Sequence, residues 1–215
     1  FQMDQPEMQM VPELKTAVEN RADLVKPTVK DKLGAALPTR RPYDSAVAPG
    51  YIAVGDAAGH VNPTTGGGIP GAAKSAYCAT KRAISAIASG DVSESALWEY
   101  NRDVMTDFGK RFAAIDLYNI WGTAHDVDEL VSIVSSVPGQ QLADALSSGT
   151  SEMSLGLKLK TLVDTFGHWD ALYELYKVSR AAKKITRLYN AYPESPAAFE
   201  TWQSNRDDLM ADLYE

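Results

Sequence analysis

Cysteine is nearly absent: Cys78 is the one thiol in 215 residues. No intrachain disulfide can form, and a reducing compartment is expected. Histidine is almost as scarce. His125 and His168 open helical patterns without a partner at metal-ligand spacing, so both read as structural and no metal centre is expected. Positive charge is short as well, with 21 Lys and Arg against 28 Asp and Glu, a formal balance of −7. A net acidic chain is a poor general binder of nucleic acid, and none is expected as a partner. No apolar run reaches the roughly 18 residues that cross a bilayer, and no signal peptide is visible. The expected location is therefore cytoplasmic. The chain opens on Phe1 rather than Met, and it is expected to be a piece of a longer protein.

What is present is the profile of a globular domain: 45% hydrophobic and 23% charged residues, at a length that buries a real core. A short helical pattern around Glu13–Leu24 precedes a β-like stretch, Val29–Pro38, and the polar turn Thr39–Asp44. Tyr51-Ile52-Ala53-Val54, bounded by Gly50 and Gly55, has the form of a buried strand. An Ala-rich helix is predicted from Ile69 to about Ser89, stopped by Gly90-Asp91. Beyond it the reading is helical. Asp91 or Ser93 caps a long helix to about Tyr118, and the capping-box pattern Asp126–Glu129 starts another. Pro138-Gly139 opens a short helix to about Leu146, and Ser147–Ser151 is a loop. Two more helices are predicted near Met153–Phe166 and His168–Tyr192, and Ser195-Pro196 opens a last one. The expected fold class is α+β and predominantly helical, with residues 1–90 carrying short strands and a helix and residues 91–215 forming an all-helical domain.

The residues that carry chemistry lie between strand and helix: Gly55-Asp56-Ala57-Ala58-Gly59-His60-Val61-Asn62-Pro63-Thr64-Thr65-Gly66-Gly67-Gly68-Ile69. A strand ending at Val54 delivers Asp56 to the carboxyl end of a sheet, where open α/β folds place ligands. A carboxylate there accepts hydrogen bonds from sugar or polyol hydroxyls. Three consecutive glycines, Gly66, Gly67 and Gly68, let backbone lie against a flat ligand without a Cβ in the way. The following helix aims unpaired N–H groups and its positive dipole end at that ligand. Such an end favours a ring that gains negative charge on reduction, as a flavin does at its N1/O2 edge.

This string resembles the second FAD motif of the aromatic-hydroxylase superfamily of flavoproteins. The fuller stretch from Ile52 to Ile69 is most similar to the geranylgeranyl reductases, including the archaeal digeranylgeranylglycerophospholipid reductases. Gly34–Pro38 and Arg41-Pro42-Tyr43-Asp44 fit the strand that precedes the motif in that family, and Gly90-Asp91-Val92-Ser93 fits its sequel. The resemblance implies that residues 1–90 are the C-terminal portion of a split FAD-binding domain. Asp56 would then hold the ribityl hydroxyls of FAD. Gly55 belongs to the same turn, Pro63 would shape the loop near the ring, and Thr65, Gly66, Gly67, Gly68 and Ile69 would offer backbone to it. The family uses a hydride from reduced flavin to saturate isoprenoid double bonds of geranylgeranyl lipids. A prenyl lipid substrate follows, with a ferredoxin, a nicotinamide or a deazaflavin as electron donor, and peripheral contact with the inner face of a membrane. The family's G-x-G-x-x-G fingerprint for the ADP half of FAD is missing from these residues. The chain alone is therefore expected to bind FAD weakly and to be inactive. Two alternatives stand beside this reading: an FAD-dependent hydroxylase or quinone-linked electron-transfer dehydrogenase, and a non-catalytic helical interaction module.

Further residues carry two readings each. His60 is placed as a proton donor near the ring or as a side chain that fills the loop, the second being the commoner role of histidine. Cys78, in a small-residue helical run, is expected to be a buried, inert thiol. Lys177, Arg180, Lys183, Lys184 and Arg187 share one side of a helix at about 100° per residue, opposite Val178, Ala181, Ile185, Leu188 and Tyr192. They form a solvated basic face or one that meets phosphate headgroups of a lipid substrate or membrane. Trp98, Trp121, Trp169 and Trp202 read as helix-packing core or as the lining of an apolar tunnel.

Overall fold

The computed structural model describes residues 16, 20, 21, 36–128, 130, 131 and 169–211. The chain divides into two compact units, Phe1–Ala36 and Leu37–Glu215. In the first, the Asn20 amide donates to the Thr16 carbonyl at 3.0 Å, one turn of helix. The rest of the helical pattern around Glu13–Leu24, most of the β-like stretch Val29–Pro38, and the predicted elements between Pro138 and Phe166 lie outside the described residues.

Among its described residues the second unit is predominantly helical with one small sheet, the class expected. The sheet is an antiparallel hairpin of β1 (Val47–Ala48) and β2 (Tyr51–Ile52), pairing Val47 with Ile52 and Ala48 with Tyr51. Gly50 turns the hairpin at φ 70°, a conformation that favours glycine. Arg41–Asp44 is a bend ahead of this hairpin, the polar turn expected from its residues and not the strand that the resemblance implied. Helix α1 (Ile69–Ser89) has Pro70 in its first turn and ends at Gly90, left-handed at φ 72°. The Gly90 amide bonds back to Ile87.

Beyond Gly90 the single long helix expected to Tyr118 is a series of pieces. Ser93 caps α2 (Glu94–Leu97) by accepting from the Ala96 amide. A turn at Trp98 leads to α3 (Glu99–Val104), a π-helical turn follows at Met105–Gly109, and α4 (Lys110–Thr123) continues it. The π turn carries Phe108 into the core. A Cβ at Gly109 would stand 3.0 Å from the Met105 sulfur and 3.2 Å from the Val104 carbonyl, so the wider turn closes on a glycine. Helix α5 (Trp169–Asn190) packs on α4, and a 3-10 turn (Pro196–Ala198) precedes α6 (Phe199–Ala211). Ser195 is extended, as a cap requires, but its side chain makes no cap bond.

Side chains of α3 tie the hairpin to the helices. Tyr100 donates to the Ala53 carbonyl at 2.7 Å, while the buried Asn101 accepts from the Ala46 amide and donates to Ser45. Two of the four tryptophans sit in the core: the Trp98 indole donates to the Pro193 carbonyl, and Trp202 donates to the Leu188 carbonyl. Both lie in one aromatic cluster with Tyr189, Tyr192 and Phe199. Trp121 is half-buried on α4, its ring tilted against His125. His125 in turn reaches the Trp121 carbonyl and Glu174, which is the structural role read for it. Nothing of His168 or of the Trp169 side chain falls within the described residues.

Candidate functional site

Beyond β2 the chain makes a 3-10 turn, Gly55–Ala58, closed by Gly59 at φ 68°. The Gly55 amide donates to Ser75 of α1 at 3.2 Å, and the His60 amide donates back to the Gly55 carbonyl. Gly55 has φ 58°, and a Cβ there would stand 3.1 Å from that of Ala72. The turn therefore lies flat on α1 only because residue 55 lacks a side chain. Gly71 meets the loop more closely still: a Cβ on it would fall 2.2 Å from the His60 carbonyl oxygen. Strand end, turn and helix are one welded unit.

Asn62 organises the rest of the loop. Its side-chain oxygen accepts from the Thr64 and Thr65 amides at 3.0 and 3.2 Å, and its carbonyl accepts from the Gly66 amide. The Gly67 amide donates to the Thr65 hydroxyl. Thr65, Gly66 and Gly67, expected to offer backbone to a ring, thus spend their N–H groups inside the loop. The Gly68 and Ile69 amides have no partner among the described residues. Pro63 is buried beneath the loop, and the Thr64 hydroxyl donates to Asn119 of α4 at 3.3 Å. Asn62 went unrecognised at the sequence level, although an Asn ahead of Pro-Thr-Thr is a turn signal with a mechanism.

Asp56 is exposed, and its carboxylate has no hydrogen bond or ion pair among the described residues. It stands at the start of α1: a Cβ on Gly68 would lie 2.9 Å from its Oδ1. A negative side chain therefore already occupies the positive end of the helix dipole. The helix end is less an open anion site than the sequence suggested. What the carboxylate and the two amides of Gly68 and Ile69 offer together is acceptor and donor groups side by side, suited to a polyhydroxylated or heteroaromatic ligand. These groups fit the ribityl–ring part of FAD. The three internally bonded amides do not.

His60 lies under the loop, fully buried, with neither ring nitrogen hydrogen-bonded among the described residues. Its ring meets Phe108 of the π turn edge-to-face, centroids 5.2 Å apart at 87°. Burial alone lowers its pKa from 6.5 to about 4, so it is neutral at physiological pH and sealed from any ligand. The proton-donor reading gives way to packing. Cys78 is half-buried rather than buried, and burial first, then Asp103 and Asp107, push its thiol up. It is inert.

A second hub, unforeseen in the sequence, is Asp44. Its carboxylate holds Arg206 and Gln203 of α6 and Arg41 of its own bend. Its carbonyl accepts from the Tyr192 hydroxyl at 2.6 Å. Burial pushes the neighbouring Tyr189 hydroxyl up to about 12. Through the Tyr43 amide, bonded to the Ala58 carbonyl at 3.2 Å, this cluster braces the turn that carries Asp56. The basic residues expected on one side of α5 are there: Arg180, Lys183, Lys184 and Arg187 are exposed and Lys177 is half-buried, while Val178, Ala181, Ile185 and Tyr189 are buried opposite. Among the described residues none of the five cations has an ion-pair partner, and Arg180 stands over the Tyr176 ring at 5.9 Å.

No family model matches the chain. Curated proteins do. It is 31% identical over 193 residues to a digeranylgeranylglycerophospholipid reductase of Sulfolobus acidocaldarius, covering 89% of this chain and 43% of that protein. Proteins of the same name from Methanothrix thermoacetophila and Methanosphaera stadtmanae are 27% and 37% identical over 150 and 99 residues. These matches cover 69% and 44% of this chain and 38% and 24% of those proteins. The chain thus spans less than half the length of the relatives it matches. Over the part of them that it spans, this chain is geranylgeranyl-reductase-like.

Proposed function

We propose that the chain is the C-terminal part of an FAD-dependent reductase that saturates isoprenoid double bonds of a geranylgeranyl lipid. The observation that carries the reading is Asp56, exposed and unbonded beside the open amides of Gly68 and Ile69. Asp56 would accept from ribityl hydroxyls, and the two amides would face the ring edge. Bound FAD would supply the hydride. This chain's own share is positional. The welded Gly55–Gly71 unit fixes Asp56, and the buried His60–Phe108 pair keeps water out from beneath the loop. On this reading residues 1–90 complete an FAD-binding domain whose ADP-binding part lies elsewhere, and residues 91–215 form the helical domain. The chain alone would be inactive, with a ferredoxin, nicotinamide or deazaflavin as donor to the intact enzyme. The names of the relatives favour reduction over hydroxylation.

The basic face of α5 would meet anionic headgroups of the lipid substrate or of a membrane surface. The decisive experiment is an FAD titration of the full-length protein and of its Asp56→Ala variant, followed by an assay with a geranylgeranyl lipid and a chemical reductant. Expected are at least about tenfold weaker flavin binding in the variant, the loss of one charge-assisted contact, and saturated product from the parent. Equal flavin affinity in both proteins would remove Asp56 from the site, and an oxygenated product would move the reaction to the hydroxylases. Vesicle binding unchanged by Lys183→Glu with Lys184→Glu would remove the headgroup reading.

A further inference from the structure

Asp116 of α4 is wholly buried, and a carboxylate in that setting is costly unless its oxygens are paired. Only half of that condition is met. Oδ1 accepts from the Nε of Arg40 at 2.7 Å, while Oδ2 is buried with no hydrogen-bond partner among the described residues. Replacing such a pair by apolar side chains of like volume is commonly neutral or stabilising, so packing alone does not account for it. What the buried carboxylate does achieve is to aim its partner. The Arg40 side chain is 56% exposed. A guanidinium anchored through Nε has its plane fixed, and its Nη donors form the planar fork that matches a phosphate. The place matters as much. Asn119, one turn along α4 from Asp116, accepts from the Thr64 hydroxyl of the glycine-rich loop at 3.3 Å. Residues three apart on a helix are neighbours, so the guanidinium stands on the order of 10 Å from that hydroxyl. On the same edge of the loop Leu37 is 47% exposed, and its Cδ1 lies 3.7 Å from where a Gly66 Cβ would stand. An anchored cation and an exposed apolar side chain thus share the Thr64–Gly66 edge, while Asp56 stands at the Gly68 end.

We propose that Arg40, aimed by Asp116, is the phosphate-recognising residue for an amphiphilic substrate, a prenyl chain that carries a phosphate headgroup. The inference rests on the lipid-reductase reading and adds to it a specificity-determining residue beside the loop, leaving the α5 face to a membrane surface. Asp116 touches no ligand and acts through Arg40 as a positioning residue. Because it also offsets the charge of Arg40, recognition rests on directed hydrogen bonds rather than on net charge. Two phosphates present this chemistry, the headgroup of the lipid and the diphosphate of FAD. Leu37 favours the first, since a dinucleotide brings no apolar chain to that edge of the loop.

The test compares digeranylgeranylglycerol with its phosphate monoester, each in neutral detergent micelles, on the full-length protein. Equilibrium binding by calorimetry, with no reductant present, is the first readout, and the KM of each lipid in the reduction assay is the second. The double variant Arg40→Gln, Asp116→Leu removes both charges together, so no buried carboxylate is left alone. It should melt no lower than its parent. The parent's preference for the ester over the alcohol should fall in it by about tenfold or more, the loss of a charge-assisted fork. If that variant does not melt cooperatively, Arg40→Gln with Asp116→Asn is held to the same outcome. An unchanged preference in a folded variant marks the pair as structural and overturns the proposal, as does a parent that binds both lipids alike. FAD affinity lowered with the lipid preference intact assigns the guanidinium to the cofactor's diphosphate and overturns it too. The two inferences fail separately. Arg40-dependent binding of the ester by a protein that takes up no flavin sinks the reductase reading alone, and flavin-dependent reduction with Arg40-independent ester binding sinks the phosphate site alone.

Discussion

Acidifying the protein from about pH 7.5 to about pH 5 drives a proton toward His60, which the fold has no means to accommodate. The ring is buried, its nitrogens unpartnered, its edge against Phe108 and its backbone against Gly71. Its pKa is about 4 in the folded protein, against 6.5 for an ordinary histidine. A folded-state pKa depressed in a base means that the native state holds the neutral form. The stabilisation is fully present above 6.5 and lost as pH falls from 6.5 toward 4. Proton linkage gives about 2 kcal/mol lost at pH 5 and about 3 kcal/mol once the pH is below 4, at 1.36 kcal/mol per pKa unit. The assay is guanidinium unfolding of the parent and of His60→Leu at both pH values. Groups shared by the two proteins, such as the His125–Glu174 pair and the Asp44 cluster, cancel in the difference of differences. The parent should lose about 2 kcal/mol more than the variant between the two pH values. Equal losses would show that His60 is protonated, or solvated, in the native state, and the account of it as a sealed packing residue would fall. Removing two orphaned nitrogens should also leave His60→Leu no less stable than its parent at pH 7.5, since a buried unsatisfied polar group costs free energy.

Gly71→Ala puts a methyl group 2.2 Å from the His60 carbonyl oxygen and should destabilise by about 2–4 kcal/mol in thermal melting. Gly122→Ala, in a helix with nothing within 4 Å of the new Cβ, should instead stabilise by up to about 1 kcal/mol. Asp44→Ala takes one of two carboxylates from Arg206, 5% exposed, which keeps its pair with Asp207, and should cost about 2–3 kcal/mol, less than an unpaired buried charge. Asp107→Asn, which breaks an exposed pair with Lys74, should cost under about 1 kcal/mol by the same melting assay. Asp56→Ala should cost no more than about 0.3–1 kcal/mol in the same assay, the loss of a negative charge at the start of α1.

The parts of the fold that obey local rules were readable in the sequence. Helix α1 runs from Ile69 to Ser89 as expected because Pro70 and Gly90 punctuate it, and Ser93 caps the next helix for the same kind of reason. Departures came where packing overrode local preference. Trp98 and the π turn at Met105–Gly109 break a helix that periodicity carries straight through, since both deliver an aromatic ring to the core rather than satisfying propensity. At the site, composition pointed to Asp56 and the glycines. It could not say which amides remain open, because that depends on Asn62 folding the loop onto itself. Nor could spacing reveal Asp44, whose partners lie in the last helix. A carboxylate in an Arg-Pro-Tyr-Asp bend looks like turn chemistry until α6 is placed beside it.

That long-range clamp has a consequence for biosynthesis. Asp44, Arg41 and Tyr43 are synthesised well before Gln203 and Arg206, so the brace behind the Asp56 turn can close only once the segment between them has been made. Contacts of such sequence separation are slow to form. Until they do, the glycine loop and α1 are held by local bonds alone, in a nascent chain that is prone to wrong partners. The order of synthesis makes the turn that carries Asp56 one of the last parts of this unit to become rigid.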